Sequence, residues 1–365
     1  MNKQIENIFN YLLKKMADGT FKQGDLLPFE KQLAEDFGTD LNNAHRAVSA
    51  LEKHGLVIRK KRFGTLVNPS LDLNLVRRLL NETSRQVCVL YSMTPHWIHW
   101  DQNSFDGLAE VIEPKGYSIV YKNLPTSSEG REAYADLLRE IELQDMCALV
   151  IFPDQEDFYF MNDNSDLLQN LSIPVFMLNR SGEPLLMDMV SYIAMDTFGD
   201  GLFVGKLLKK NNYRNIIMLN VDMPTFWSEQ RYEGLKQALT RGDRDFPCPS
   251  NFTTKDEQLI LDFVTRHGPE SVVVAVNNLV AAQFIDYARV KKIHAGKDYR
   301  MISFDDHPMY RSYNLTTMAV PRKKIGQLFG QMVCDTSWLK AYRGLYSIKI
   351  HSELIVRDTL KPECL

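Results

Sequence analysis

The stretch GTDLNNAHRAVSAL, residues 38–51, carries two opposite patterns on one helical repeat. Apolar side chains recur at the spacing of one helix face, and these are Ala44, Ala47, Val48 and Leu51. Hydrogen-bonding side chains recur at the same spacing on the opposite face, and these are Asn42, His45, Arg46 and Ser49. The apolar set is what a small core requires. The polar face is almost free of negative charge, which raises the question of what it contacts.

Two helices are predicted before this stretch and a hairpin after it. Residues 5–16 give an apolar helical stripe that ends before Gly19, and the segment PFEKQLAEDF (28–37) begins with a proline suited to a first helical turn. The segment LVIRKKRFGTLV (56–67) places a basic turn between two β-branched segments. Three short helices and a hairpin predict a winged helix-turn-helix, in which the last helix enters the DNA major groove.

The charges of this segment favour DNA as the partner. From Gly38 to Val67 there are six Lys and Arg residues against two acidic residues. Asn and Arg side chains suit base edges, and lysines of a hairpin suit phosphates. A polar helix face taken alone is more often simply solvated, but the context of two helices and a wing reverses that preference. We therefore expect the polar face of residues 42–49 to contact base pairs.

The segment resembles the gluconate-repressor (GntR) family of bacterial regulators over about 45 residues. Order and spacing agree at Gly24-Asp25, Leu27-Pro28, Glu30, Leu33-Ala34, Phe37-Gly38, Ala47-Val48, Leu51, Gly55-Leu56, Gly64-Thr65 and Val67. The chain departs from the family at Phe29 (usually Ser), Thr39-Asp40-Leu41 (usually Val-Ser-Arg), Arg62 (usually Gly) and Phe63 (often Arg). The resemblance implies a winged helix-turn-helix, but the altered positions are those that typically meet DNA, so no operator sequence is carried over.

The predicted DNA-binding residues combine the polar helix face with the basic wing. Lys31 is added because the family often has a DNA-contacting Arg at its position. The full set is Lys31, Asn42, Asn43, His45, Arg46, Lys60, Lys61 and Arg62.

Composition limits the class of protein. The 365 residues carry a net charge of −3, with 11 basic and 8 acidic residues in positions 1–70 against 32 and 38 in the remainder. A basic first segment favours an anionic partner. The five cysteines form no CxxC pair, which predicts a reduced, cytoplasmic chain. No secretory signal and no apolar run long enough for a bilayer are present, so no membrane partner is expected.

The body of the chain alternates short apolar strands with helical segments. Strands are predicted at 87–91, 117–121, 148–152, 173–178, 191–195, 215–220, 271–276 and 300–304. This alternation predicts an α/β architecture with parallel sheets covered by helices on both faces. About 280 residues are long for one sheet, so two lobes with a ligand cleft between them are expected. The predicted division is a winged helix-turn-helix at 1–69, a linker at 70–85 and a two-lobed effector-binding and dimerisation domain at 86–365.

The motifs of common enzymes are missing from the sequence. No GxGxxG follows a strand, no GxSxG is present, and GDGLFVGKLL (199–208) lacks the spacing and the hydroxyl of a phosphate-binding loop. His96 and His99, with Asp101 nearby, could begin a metal site, but the sequence does not indicate a complete set of ligands. Trp97 and Trp100 favour a ligand-contacting loop instead. We expect no catalytic residues, no metal and no cofactor.

The body also resembles the effector domain of the lactose-repressor (LacI) family, which is similar to periplasmic sugar-binding proteins. Eight weak motifs occur in the family's order over about 270 residues: FDGLAEVIEPKGYSIV, IPVFMLNR, YIAMDTFGDG, RYEGLKQAL, AVNNLVA, ISFDD, LTTMAVPRKKIG and LIVRDT. The chain departs from the family at Thr197, Asn278 and Ser303, where the family usually has Asn, Asp and Gly. The fold implied is a two-lobed, periplasmic-binding-protein-like domain.

The resemblance places effector-binding residues in this body, and sugar chemistry supports them. Charged planar groups can each bond two hydroxyls, and aromatic faces stack on sugar C–H surfaces. Trp97, Phe226 and Trp227 are expected in loops after strands, where parallel sheets hold ligands. The predicted effector-binding residues are Trp97, Arg180, Asp196, Trp227, Arg231, Asn278 and Asp305. Arg180 and Arg231 could instead form ion pairs that close the lobes, with Arg231 favoured over Arg180 for this role, and Asp196 could tie down local backbone.

The two resemblances together imply a one-component bacterial transcription regulator that binds a palindromic operator as a homodimer. A small sugar in the cleft is expected to shift the lobes and lower operator affinity. Co-repression has the opposite sign and stays open. Two rival hypotheses also stay open: a purine or another polar metabolite as the effector, and a sugar-acting enzyme.

Overall fold

The computed structural model describes residues 3–61, 63–73, 75–76, 79–80, 85–92, 95–144, 146–169, 171, 173–185, 190–241, 246–334 and 347–364. At residues 3, 95–99 and 143 it describes the backbone alone.

The amino-terminal domain is a winged helix-turn-helix. Its elements are α1 (Lys3–Ala17), α2 (Glu30–Asp36), α3 (Leu41–Lys53), β1 (Val57–Lys60) and β2 (Gly64–Val67). The two strands pair antiparallel, with Val57 opposite Val67 and Lys60 opposite Gly64. The apolar helix faces meet in one core, as their spacing predicts: Ile8, Leu12, Leu33, Ala47, Val48 and Leu51 are buried.

The segment after the wing adds to this same core. Leu71, Val76, Leu79 and Leu80 are buried against the three helices. The side-chain amide of Gln23 also donates a hydrogen bond to the carbonyl of Leu71 at 3.2 Å. The chain that leaves the wing is therefore anchored to the winged helix by apolar burial.

The body of the chain alternates strands and helices in two lobes. In chain order the elements are β3 (Gln86–Tyr91), α4 (Pro95–Ile112), β4 (Ser118–Asn123), α5 (Gly130–Leu143), β5 (Met146–Phe152), α6 (Gln155–Asp163), α7 (Ser165–Gln169), β6 (Val175–Asn179), β7 (Val190–Met195), α8 (Thr197–Lys210), β8 (Asn215–Asn220), α9 (Phe226–Thr240), β9 (Ser250–Thr253), α10 (Glu257–His267), β10 (Ser271–Ala275), α11 (Asn278–Val290), β11 (Arg300–Asp305), β12 (Thr316–Ala319), α12 (Arg322–Cys334), β13 (Ser347–Ile350) and β14 (Glu353–Ile355).

Each lobe is built on a six-stranded sheet. The N-lobe sheet has the order β13-β7-β6-β5-β3-β4, and all its pairs are parallel. The C-lobe sheet has the order β14-β12-β11-β10-β8-β9, and only β14 is antiparallel to its neighbour. Strand β10 is buried along its whole length because helices cover both faces of a parallel sheet. The α/β prediction with parallel sheets is confirmed.

In the described part of the chain, the backbone crosses from one lobe to the other after β7, again after β12, and again after β13. Helix α12 packs closely on α4 of the N-lobe. A Cβ atom at Gly107 would lie 2.1 Å from the carbonyl oxygen of Lys323, and one at Gly326 would lie 1.9 Å from that of Ser104. These two positions therefore require glycine because the two backbones nearly touch.

All eight strands predicted from the sequence are present, within two residues at each end. The sequence reasoning missed β9, β12, β13 and β14 as strands. Three of them have four residues and β14 has three, so none gives a long enough apolar run to be recognised by periodicity.

Candidate DNA-binding surface and effector cleft

The recognition helix α3 presents its polar face to solvent. Asp40 caps it by accepting a hydrogen bond from the backbone N–H of Asn43 at 2.8 Å. The side chains of Asn42, His45 and Arg46 are exposed on the face opposite the buried Ala47 and Leu51. Three of the residues predicted to contact DNA are thus accessible on one helix face.

Asn43 differs from its neighbour Asn42 because its side chain is buried, with 8% exposed. Its amide nitrogen lies 3.0 Å from Gln4 Oε1, 2.9 Å from Thr39 Oγ1 and 3.0 Å from Asp40 Oδ2. These contacts join α3 to α1 and to the preceding turn. They favour a structural role for Asn43 over a contact with a base.

Glu30 links the recognition helix to the wing. One carboxylate oxygen lies 3.0 Å from His45 Nδ1, and the other accepts a hydrogen bond from Arg59 Nη2 at 2.9 Å. Arg59 also donates to Ser49 Oγ at 2.9 Å and lies 3.4 Å from Glu52. Sequence reasoning gave Arg59 no role, yet it orients Ser49 and the base of the wing.

The basic side chains surround a concavity between α2, α3 and the wing. Lys31, Lys60 and Lys61 are exposed at its rim, and Arg62 lies outside the described residues. Two large aromatic side chains are exposed nearby: Phe29 is 64% exposed and Phe63 is 73% exposed. The surface therefore combines positive charge with accessible apolar area, as a surface that meets the sugar–phosphate backbone and base edges would require.

A cleft of about 180 Å³ lies between the two lobes, at the carboxyl ends of their strands. Side chains of both lobes line it: Trp100, Pro153, Asp154, Gln155, Phe158, Leu178, Arg180, Ser181, Met195, Thr197, Trp227, Arg231, Asn277 and Asp305. The position agrees with the rule that parallel sheets hold ligands at the carboxyl ends of their strands. Of the predicted effector-binding residues, Arg180, Trp227, Arg231 and Asp305 come together here.

On the N-lobe side of the cleft, Arg180 forms a largely buried ion pair within that lobe. Its Nη2 atom lies 2.6 and 2.5 Å from the two oxygens of Asp101, and its Nε donates to the carbonyl of Pro153 at 2.9 Å. Burial raises the pKa of Asp101, while the charge and hydrogen bonds of Arg180 oppose that rise. Asp101 was considered from the sequence only as a metal ligand, but here it holds Arg180 in place.

On the C-lobe side, Arg231 pairs with Asp305. Its Nη2 atom donates to Asp305 Oδ1 at 2.6 Å, and its Nη1 atom donates to the carbonyl of Val276 at 2.7 Å. The guanidinium lies 5.2 Å from the ring centre of Trp227 and 4.7 Å from that of Phe304. The sequence suggested that Arg231 could close the two lobes, but this pair lies within one lobe.

Trp227 provides a contact between the lobes. Its indole Nε1 donates to Gln155 Oε1 of the N-lobe at 3.3 Å. It lies in the first turn of α9 and not in a loop, and Phe226 begins that helix. The backbone of Trp97 and of Trp100 likewise lies in helix α4 and not in the expected loop. The side chains of Trp97, His96 and His99 lie outside the described residues.

Two predicted effector-binding residues make contacts within the protein. Asp196 caps α8 by accepting from the N–H of Gly199 at 3.0 Å, which favours the local backbone role. Asn278 is buried, donates to Ser303 Oγ at 2.7 Å and accepts from the N–H of His307 at 2.7 Å. The adjacent Asn277 lines the cleft instead. An Asn-Asn pair in the sequence does not reveal which of the two faces a ligand.

Within the described residues, no group of three or more His, Cys, Asp or Glu side chains could hold a metal ion. Among the helices in this part of the chain, none is both long and apolar enough to cross a membrane.

Two family models match parts of the chain. Residues 4–67 match the model described as bacterial regulatory proteins, gntR family, and residues 206–359 match a periplasmic binding protein-like domain. The chain thus fuses a GntR-type helix-turn-helix domain to a periplasmic-binding-protein-like domain, as the two resemblances predicted.

Individual proteins similar to the chain are regulators. The arabinose metabolism transcriptional repressor of Geobacillus stearothermophilus is 21% identical, over 96% of this chain and 95% of its own length. A LacI family regulator from Enterococcus faecium, solved with bound ribose, is 17% identical, with a TM-score of 0.57 over 76% of this chain and 99% of its own. One from Weissella paramesenteroides, solved with bound sucrose, is 18% identical, with a TM-score of 0.57 over 76% of this chain and 100% of its own.

Proposed function

We propose that the chain is a ligand-responsive bacterial transcription repressor and not an enzyme. One observation carries this proposal: a winged helix-turn-helix with an exposed polar recognition face is fused to two lobes that share a polar, aromatic-lined cleft. The repressor and regulators that resemble the chain support the same role. We infer that it acts in the cytoplasm, where operator DNA is accessible.

In this proposal, residues 1–69 bind DNA, residues 70–85 link the domains, and residues 86–365 bind the effector and dimerise. Asn42, His45 and Arg46 contact base edges in the major groove, and Lys31, Lys60, Lys61 and Arg62 contact phosphates. Asn43, which was also predicted to contact DNA, holds α3 in position. A symmetric dimer presents two such modules to a palindromic operator.

The proposed effector is a small sugar bound between the lobes. Two guanidinium–carboxylate pairs, Arg180–Asp101 and Arg231–Asp305, supply planar groups from opposite sides of the cleft, and Trp100, Phe158 and Trp227 supply apolar faces. Sugar hydroxyls bond the charged groups and sugar C–H surfaces stack on the rings. Asp196 and Asn278, two other predicted effector-binding residues, support the cleft in this proposal. For Trp97, contact with the effector stays a prediction.

Ligand binding is coupled to DNA binding through closure of the lobes. A sugar that binds the closed cleft more tightly than the open cleft shifts the equilibrium between them. Because the lobes also form the dimer, closure changes the separation of the two winged helices and lowers operator affinity.

The DNA-binding surface is tested by replacing Asn42, His45 and Arg46 together with Ala. We expect loss of specific binding to an operator selected from random duplexes, with the fold retained by circular dichroism. The control is the double variant D136A/R139A, which removes an exposed ion pair on α5 and leaves operator affinity as it is. Unchanged affinity of the triple variant would refute the assignment.

The effector is tested by a thermal-shift screen with arabinose, ribose, sucrose, adenine and hypoxanthine, followed by a gel-shift assay. A ligand at 100 times its Kd adds about 2.7 kcal/mol of stability. Stabilisation by a sugar and release of DNA support the proposal. Stabilisation by a base alone supports the purine alternative, tighter DNA binding supports co-repression, and turnover of the sugar supports an enzyme.

A further inference from the structure

The carboxylate that faces the cleft from the C-lobe stands on an unusual turn. Asp305 and Asp306 follow each other at the end of β11 with φ values of 91° and 49°. Both values lie in the left-handed region, which non-glycine residues rarely adopt. Such a backbone persists only where its surroundings hold it, and such turns cluster at functional sites.

Three side chains of the C-lobe hold this turn. Arg231 pairs with the carboxylate of Asp305, and Arg357 Nη1 lies 2.6 Å from Asp306 Oδ1. Asn278 accepts a hydrogen bond from the backbone N–H of His307, the next residue. These contacts fix the turn relative to its own sheet, but they do not relate it to the N-lobe.

The fourth support comes from the crossover between the lobes. Arg322 is the first residue of α12, and its Nη2 and Nη1 atoms donate to the carbonyls of Asp305 at 2.5 Å and Asp306 at 3.3 Å. Its guanidinium lies 3.8 Å from the ring centre of Trp100 on α4 of the N-lobe. The same indole lies 5.3 Å from the ring of His307. Arg322 therefore joins the turn of one lobe to an aromatic platform of the other.

This arrangement has an electrostatic cost. Arg322 is 6% exposed, and burial lowers its pKa to about 10, although the charges of Asp305 and Asp306 oppose the fall. The guanidinium still carries its charge at neutral pH. An apolar side chain can often replace a buried charge without loss of stability, so packing alone does not require an arginine here. The two hydrogen bonds from Arg322 to backbone carbonyls indicate that it positions the turn.

We propose that Arg322 is a positioning residue of the effector site. It holds the Asp305–Asp306 turn against Trp100, so that the Asp305 carboxylate stays at the angle and depth at which it meets sugar hydroxyls. Arg322 is not among the residues that line the cleft, so it acts through Asp305. This inference rests on the proposed function, because it assigns Asp305 to the effector.

The test compares R322M with R300M. Methionine replaces the unbranched stem of the arginine side chain but lacks the guanidinium that donates to the two carbonyls. Arg300 is the matched control because it lies at the other end of β11 and also donates to a backbone carbonyl, that of Gly296. Calorimetry with arabinose, ribose and sucrose measures sugar affinity. Operator binding without sugar tests whether the control variant R300M keeps its DNA-binding activity.

For the sugar that the wild type binds, we expect R322M to weaken affinity at least tenfold and R300M to leave it unchanged. Operator affinity without sugar stays the same in R300M. In the D305N background, R322M adds no further loss, because a positioning residue cannot act once the group it positions is gone. An equal further loss in that background, or unchanged sugar affinity in R322M, overturns the inference.

Hydrogen–deuterium exchange of the segment 303–309 in the sugar-free protein gives a readout that needs no ligand. We expect faster exchange in R322M than in the wild type and in R300M, since the turn loses its tie to the N-lobe. W100F, which keeps a ring under the guanidinium, provides a milder second variant with a smaller change. If no sugar binds the wild type while exchange rises in R322M, the proposed function fails and the support of the turn stands. Unchanged exchange in R322M overturns the inference whatever binds.

Discussion

The candidate DNA-binding surface and the candidate effector cleft use similar residue types in opposite ways. On the recognition face, Asn42 and Arg46 are exposed to solvent. In the cleft, Arg231 is buried and the side chain of Arg180 is only 10% exposed, and each is paired with a carboxylate of its own lobe. Side chains of the first surface are exposed to solvent, whereas the two arginines of the second lose most of their solvent exposure on folding.

The difference separates the forces that each region uses. Exposed charges interact with DNA over long range, and salt screens them. Buried charges depend on their geometry, because each must recover by pairing the hydration that it lost. Substitutions on the recognition face should therefore change DNA binding without changing stability. Substitutions in the cleft should change effector binding and also lower stability.

The largest expected effect is on stability and comes from the cleft. D101N removes the charge that pairs with Arg180 and keeps the shape of the side chain, so a buried guanidinium loses its compensation. We expect a loss of about 3–5 kcal/mol in the free energy of unfolding. The exposed pair Arg139–Asp136 provides the control: D136N should cost at most about 1 kcal/mol. Urea unfolding of both variants measures the contrast, and equal losses would contradict it.

A buried carboxylate on helix α6, next to the cleft-lining Phe158, predicts a pH dependence. Burial raises the pKa of Asp157 to about 6, while the hydrogen bond from Ser92 opposes the rise. The folded protein therefore holds this proton more tightly than the unfolded chain does. The resulting stability is present at low pH and is lost as pH rises from about 4 through about 6.

D157N removes this titration. We expect the stability of the wild type relative to D157N to fall between pH 4.5 and pH 7, measured by urea unfolding at several pH values. D163N, at an exposed position of the same helix, is the control and should follow the wild type. A wild-type advantage that grows with pH would show that the sign is wrong.

Two adjacent asparagines of helix α3, one exposed and one buried, allow the same contrast between binding and stability to be tested within a single helix. N43A removes an amide that contacts Gln4, Thr39 and Asp40, so we expect a loss of about 1–3 kcal/mol in domain stability. N42A removes an exposed side chain and should change stability by less than about 0.5 kcal/mol. In DNA binding the order reverses, because only Asn42 faces outward. Thermal unfolding should show the larger loss of stability for N43A, and a gel-shift assay should show the larger loss of DNA affinity for N42A.

The fold could be predicted well from the sequence because helices and buried strands leave short apolar patterns that recur along the chain. Apolar residues at helical spacing place the core of the winged helix, as in Ala47 and Leu51, and runs such as 271–276 mark buried strands. Glycines such as Gly107 and Gly234 stand in recognisable motifs because helix backbones meet there. Short edge strands carried no comparable pattern.

The candidate sites were less predictable because they depend on contacts between distant segments. Asp101 and Arg180 are 79 residues apart, and Arg322 reaches Asp305 across 17 residues and a change of lobe. No spacing rule connects such pairs. Helical spacing places Asn42 on the polar face, but it does not show that Asn43 is held by the distant Gln4. Nor does it show that Asn277, and not Asn278, lines the cleft.

The smallest expected effect comes from the wing. Lys60 and Lys61 are exposed, so K60A/K61A should leave stability unchanged. If both lysines contact phosphates, each releases about one counterion, and the slope of log K against log[salt] should fall by about 2. Affinity should decline for specific and random duplexes alike, because phosphate contacts carry no sequence information. The control is K291A/K292A, which removes two exposed lysines of the C-lobe and should leave the slope unchanged.

A loss of affinity for the operator alone would instead assign base contacts to the wing. The contrast between a wing that contacts phosphates and a helix α3 that contacts bases would then disappear.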